Sequence, residues 1–203
     1  MKNILIITSC LLAFLLCLTA AHAETIPSVT IGDMTQVDVD VENPQDVGFY
    51  LRTVAESEVE YAAHWDACRS EIANISAAES LQSYFKNAKD VQGLPFEVAA
   101  FLDAENLYCH ELTPVIAGNY TDELGLVTAR FLFPTPYEKG EQVVVMIGLI
   151  STDEDGAQVV QWIAHPGSAV EAADQSIRIE TVLAPETVMD IQEGIALLAV
   201  LSR

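Results

Sequence analysis
Gln142-Val143-Val144-Val145-Met146-Ile147-Gly148-Leu149-Ile150-Ser151 is apolar at both alternating sets of positions and rich in β-branched residues, as a strand covered on both faces must be. Its reading decides the fold, and we expect it at the centre of a sheet. Upstream, residues 124–133 put Val127, Ala129, Phe131 and Phe133 on one face and Thr128 and Arg130 on the other, the pattern of a half-buried strand. Downstream, 157–165 alternates less cleanly. Between them, Thr152-Asp153-Glu154-Asp155-Gly156 has hairpin length, with Gly156 free to take a positive φ. Pro134-Thr135-Pro136 ends the first strand, because proline has no N–H for a ladder. The three strands are expected to form an antiparallel meander.

Further out the period changes twice. Val37, Val39 and Val41 alternate with Asp38, Asp40 and Glu42, which predicts a strand with one apolar and one carboxylate face. Then Leu51, Val54, Tyr61, Trp65, Cys68, Ile72 and Ile75 fall on one helical stripe, and Ser57 with Glu60 makes a capping box that starts the helix. The piece 47–54 stays open as a strand. Ser76 with Glu79 forms a second box ahead of Leu81, Tyr84, Phe85 and Ala88. Gly93-Leu94-Pro95 closes that helix, and Pro95 opens a third, lined by Phe96, Ala99, Ala100, Leu107 and Leu112 up to Thr113-Pro114. Past the meander, 176–183 suits an outer strand. For 188–201 a helix and a hairpin turning at Glu193-Gly194 stand level, since Gly194 inside a helix costs roughly 1 kcal/mol.

The expected fold is therefore α+β: an antiparallel sheet of four to six strands with two or three helices packed on one face. Residues 24–203 form a single domain, with a helical block at about 57–113, the meander at about 124–165 and C-terminal strands or a helix at 175–203. Residues 1–23 have the parts of a cleaved signal peptide: Lys2, an apolar run from Ile4 to Leu18, and the small-residue end Ala21-His22-Ala23. That run is shorter than the roughly 20 residues a membrane span needs, so the mature chain has no expected membrane span and its address is periplasmic or extracellular. Asn74-Ile75-Ser76 and Asn119-Tyr120-Thr121 would be glycosylation acceptors in a eukaryotic secretory route.

Charge narrows the function. Asp and Glu number 30 against 9 Lys and Arg, a net charge of −21, and the scattered cations exclude nucleic acid and anionic lipid as partners. With 51% of residues apolar, the chain is no disordered acidic tail. Solubility in a salty exterior is favoured over recruitment of basic partners or divalent cations.

Few motifs carry chemistry. His64, Cys68, Cys109 and His110 could in principle bind zinc. An oxidising exterior and two surviving cysteines instead favour a Cys68 to Cys109 disulfide, worth roughly 4 kcal/mol in the chain-entropy model. A thiol nucleophile with a histidine base is a third reading, which that bond would abolish. Asp38, Asp40 and Glu42, like Asp153, Glu154 and Asp155, could help hold calcium, but neither set has the twelve-residue loop spacing. Solvated faces account for them better. Ser83-Tyr84-Phe85-Lys86 has S-x-x-K spacing without its partner motifs, and we read it as chance. His165-Pro166 lies near Ser168 at a strand end, where a histidine is usually structural or solvated; Trp65 and Trp162 read as core. No catalytic residue, cofactor site or metal site is assigned. The expected function is an exported, non-enzymatic module that binds a protein or cell-envelope component. The competing class is a small hydrolase or apolar-ligand carrier with a pocket between helices and sheet, lined by residues such as Phe131, Phe133 and Trp162.

Overall fold
The computed structural model describes residues 29–31, 36–88, 91–92, 96–104 and 106–203. The expected signal peptide and the Gly93-Leu94-Pro95 break lie outside these residues. Within them nine strands form one sheet: β1 (Val29–Ile31), β2 (Gln36–Val41), β3 (Tyr50–Thr53), β4 (Tyr108–Gly118), β5 (Val127–Leu132), β6 (Gln142–Thr152), β7 (Gln158–Glu171), β8 (Ile177–Leu183) and β9 (Ile195–Ser202). Four helices accompany them among the described residues: α1 (Ala62–Ser76), α2 (Leu81–Asn87), α3 (Phe96–Leu102) and α4 (Pro185–Glu193).

The hydrogen-bonded order is β1-β4-β9-β6-β7-β8-β5-β2, with β3 paired to the same edge of β4 as β1. β1 runs parallel to β4, and every other pairing is antiparallel. Because β2 ends up beside β3, the sheet curls into a nearly closed barrel. This corrects the expectation of four to six strands with two or three helices on one face. A twisted sheet that is apolar along one whole face can bury that face by closing on itself, and here it does so.

The barrel has two apolar cores, one on each side of its wall. Inside lie Phe131, Phe133, Val143, Val145, Ile179, Leu198 and their neighbours, with Val188 and Ile191 of α4 filling one end. Outside, Trp65, Cys68, Ile75 and Phe85 of the helical layer pack on Leu112, Met146, Trp162, Leu197 and Ala199. β6 therefore contributes to both cores, as its doubly apolar sequence predicts. Gly148 lies opposite Trp162. A Cβ there would sit 2.8 Å from the indole, so glycine is what lets that ring lie across β6.

Several element readings are corrected. The meander breaks after its first strand: β6 and β7 form the expected hairpin, with Gly156 at φ 80, but β5 pairs with β8 and β2. The link from β5 to β6 carries two prolines and runs past the barrel end. The third helix stops at Leu102, and 108–118 is a strand whose inward residues (Thr113, Val115, Ala117) alternate with outward Leu112 and Ile116. Neither capping box forms. Glu58 instead binds Arg52 and the Ala55 N–H, and Ser80 caps α2 through Ser83 N–H. The strand expected at 176–183 as an outer one is paired on both edges. At 185–202 neither alternative holds as a whole: the helix stops at Glu193 and does not cross Gly194, and the strand that follows pairs with β4 and β6 and forms no hairpin.

Candidate functional site at the mouth of the barrel
β4 and β9 end together at the barrel mouth opposite α4. Tyr108 faces Ser202, Cys109 faces Leu201 and Glu111 faces Val200, which leaves His110 as the extra residue of a β-bulge. Bulges re-aim side chains, and this one turns His110 to the inner side of the wall. There its Nε2 lies 2.6 Å from Ser202 Oγ. Ser202 is 2% exposed and His110 is half-buried. Burial holds the imidazole below its ordinary pKa, against an opposing pull from Glu141, so the ring is neutral at pH 7 and able to accept a proton.

Two more groups complete the mouth. Glu111 is 1% exposed, and its Oε1 accepts from Thr135 Oγ1 at 2.5 Å. Burial pushes its carboxyl up, with the Thr135 bonds opposing. Tyr137, from the β5–β6 link, meets the His110 ring edge-on at 5.9 Å, and its buried hydroxyl has no hydrogen-bond partner. Burial raises that phenol strongly, so it remains a donor. Tyr108 stacks on His110 at 5.9 Å and is half exposed. Tyr108, His110, Tyr137, Phe133 and Phe131 thus form a file of rings from solvent to the barrel interior.

Sequence reasoning missed Ser202, Glu111 and Tyr137. Ser202 stands 92 positions from His110, and no spacing rule links residues that meet through strand register. It grouped His110 with Cys109, but adjacent strand residues point to opposite faces, and the wall separates them. Cys68 and Cys109 share the outer core, where both are free thiols. Cys68 Sγ contacts Leu112 O at 3.8 Å and Cys109 Sγ contacts Glu111 O at 3.5 Å. Burial pushes each thiol up to about 12, which leaves no thiolate nucleophile at neutral pH. His64 sits edge-on to Tyr61 at 5.3 Å with its Nδ1 buried and unpartnered. No group of three or more metal-binding side chains occurs among the described residues.

The carboxylates of β2 are taken up by arginines across the outer wall. Arg130 bonds Asp40 at 2.5 Å and Glu180 at 2.6 Å, while buried Arg178 pairs with Asp38 and Asp174. Glu42 accepts from Leu126 N–H, and Asp153 Oδ1 accepts from the N–H groups of Asp155 and Ala157, which fixes the β6–β7 turn. In the S-x-x-K segment Ser83 Oγ accepts from Asn87, and Lys86 pairs with Asp103. His165 faces inward opposite Val145, its Nε2 unpartnered, and burial holds it down at about 4.

Phe131 and Phe133 lie inside the barrel and Trp162 outside it, so the three residues named for one helix–sheet pocket line different sides of the wall. Between helices and sheet the volume is occupied by Trp65, Phe85 and Trp162, the last two in edge contact at 5.4 Å. Where the helical layer ends, a shallow groove of about 250 Å³ crosses the outer wall, lined by Gln142, Pro166, Ser168, Glu180 and Val182 among others. Among the described residues no helix is long and apolar enough to cross a membrane. No family model, no curated protein and no solved structure matches this chain.

Proposed function
We propose that this is an exported acidic protein, periplasmic or extracellular, that binds a protein or cell-envelope partner across the part of its outer wall that the helices leave uncovered. The observation that carries this reading is the groove on β6, β7 and β8. It combines Val182, 47% exposed, with hydrogen-bonding Gln142 and Ser168. Beside it Asp40 and Glu180 share a single arginine, which leaves that edge net negative and favours a partner presenting apolar and basic groups together. The leader-like residues 1–23 and the net charge of −21 support an exterior address.

A photoreactive phenylalanine analogue at Val182, carried by the full chain in its source cells, should form an adduct that the same group at Val59 does not. Val59 is 85% exposed on the helical side. Equal adducts at both positions, or none at Val182, would sink the reading. Cys68 and Cys109 are free thiols in the structure, and the export reading adds the proposal that an oxidising exterior joins them. The secreted product should then lack residues 1–23 and weigh two hydrogens less than the reduced mature chain. Two titratable thiols in denaturant would remove the compartment from the proposal.

A further inference from the structure
We infer that the barrel mouth is an acyl-transfer site, with Ser202 as nucleophile, His110 as its general base and the Tyr137 hydroxyl as donor to the developing oxyanion, acting on small carboxylic esters. This goes beyond the binding reading, which concerns the outside of the wall, and it replaces the expectation of a chemically inert module.

Three features meet there. The 2.6 Å contact between Ser202 Oγ and His110 Nε2 is the nucleophile–base geometry that activates a hydroxyl. The bulge that interrupts the β4–β9 register is what brings the imidazole to that side. Tyr137 keeps a buried hydroxyl with no partner; a donor left unmet in a folded protein costs stability and is the feature an oxyanion site requires.

In the reaction, Ser202 Oγ attacks the ester carbonyl carbon as its proton passes to His110 Nε2, and the carbonyl electron pair moves onto oxygen, facing Tyr137. Collapse breaks the carbon–alkoxide bond, and the alkoxide leaves with the proton from His110. Water then repeats the sequence, releasing the carboxylic acid and restoring Ser202. The net change is ester plus water to acid plus alcohol. An ester suits the site because its alkoxide departs more readily than the nitrogen anion that an amide would have to expel. The slight exposure of Ser202 restricts the acyl group to a short one. Glu141 favours the imidazolium formed in each half-reaction.

The test uses a fluorophosphonate probe and p-nitrophenyl acetate on the full mature chain. The probe should add to the peptide containing Ser202, and Ser202→Ala should abolish the addition. His110→Gln should lower kcat by about 100-fold or more, the range of a lost general base. Tyr137→Phe should lower kcat with little change in KM, while Ser151→Ala, at the far end of β6, should leave turnover unchanged. Thermal melts check that each variant folds. Mapping the label on the unsubstituted protein needs no variant. A label on another residue, no label on Ser202, or equal rates for His110→Gln and the parent would overturn the proposal. None of these outcomes affects adduct formation at Val182.

Discussion

Two buried tyrosines mark the two ends of the barrel, and their surroundings differ. At the end filled by α4, Tyr120 is fully engaged: its hydroxyl donates to Gly125 O at 2.6 Å, its N–H donates to Gln192 Oε1 at 2.7 Å, and its carbonyl accepts from Gln192 Nε2 at 3.4 Å. At the mouth, Tyr137 is as deeply buried and its hydroxyl bonds nothing. One end is built for closure, with apolar Val188 and Ile191 beneath satisfied polar groups. The other concentrates a buried acid, a neutral imidazole and an unmet donor. Such groups oppose folding, so their concentration at one end points to use there and structure at the other.

The contrast can be broken by substitution. The largest effect is expected at the plugged end: Ile191→Ala should destabilise by about 2–5 kcal/mol, the range for a buried aliphatic truncated to alanine, read from chemical denaturation. A loss under about 1 kcal/mol would mean that α4 rests loosely on the barrel.

Acid should reveal the inward-facing histidine next. With His165 held at about 4 in the folded chain and 6.5 when free, the unfolded state binds the extra proton between those values. Its contribution is intact above pH 6.5 and is lost as pH falls toward 4, by about 3 kcal/mol in all. His165→Gln should flatten that part of the stability curve. An unchanged slope would show that another group sets the acid response.

The tyrosines themselves give the direct comparison. Tyr120→Phe should cost about 1 kcal/mol, because it leaves the Gly125 carbonyl without its donor. Tyr137→Phe should be neutral or stabilising in the same melt, because no bond is lost. Equal costs would erase the distinction between the ends.

The smallest effect concerns Glu111. Its carboxyl is raised in the fold, so its stabilising contribution is complete below the ordinary value of 4.5 and is lost as pH rises through the folded one. Glu111→Gln should therefore stabilise at pH 7 and stabilise less at pH 4, read by paired melts at the two values. A destabilised variant at pH 7 would indicate that the Thr135 bond matters more than the buried charge.

Strand composition was legible in the sequence where one residue type repeats. β6 reads as central from its own ten side chains, and β2 and β5 read from strict alternation. The stripe through Trp65, Cys68 and Ile75 likewise marks α1. Pairing was not legible, because partners in an antiparallel wall are chosen by the shared register of distant segments. Leu112 suits a helix face as well as a strand, and the bulge at His110 disturbs the alternation that would have exposed β4. Gly194 weakened the reading of a helix that in fact ends there. The carboxylates of β2 carried no sign of Arg130 and Arg178, which arrive from two other strands. Of the mouth, His110 had been singled out, for chemistry shared with cysteines across the wall. Ser202 sits in a run of aliphatic residues and looked like its edge.

β9 has one further consequence. It lies between β4 and β6, yet both are translated before it. A nascent chain that has already produced eight of the nine described strands still holds two unjoined half-walls, each with a bare edge. Joining them requires pairings such as Thr113 with Leu198, far apart along the chain, and contacts of that range slow assembly toward milliseconds to seconds. In that interval the edges of β4 and β6 would be the places a chaperone has to guard.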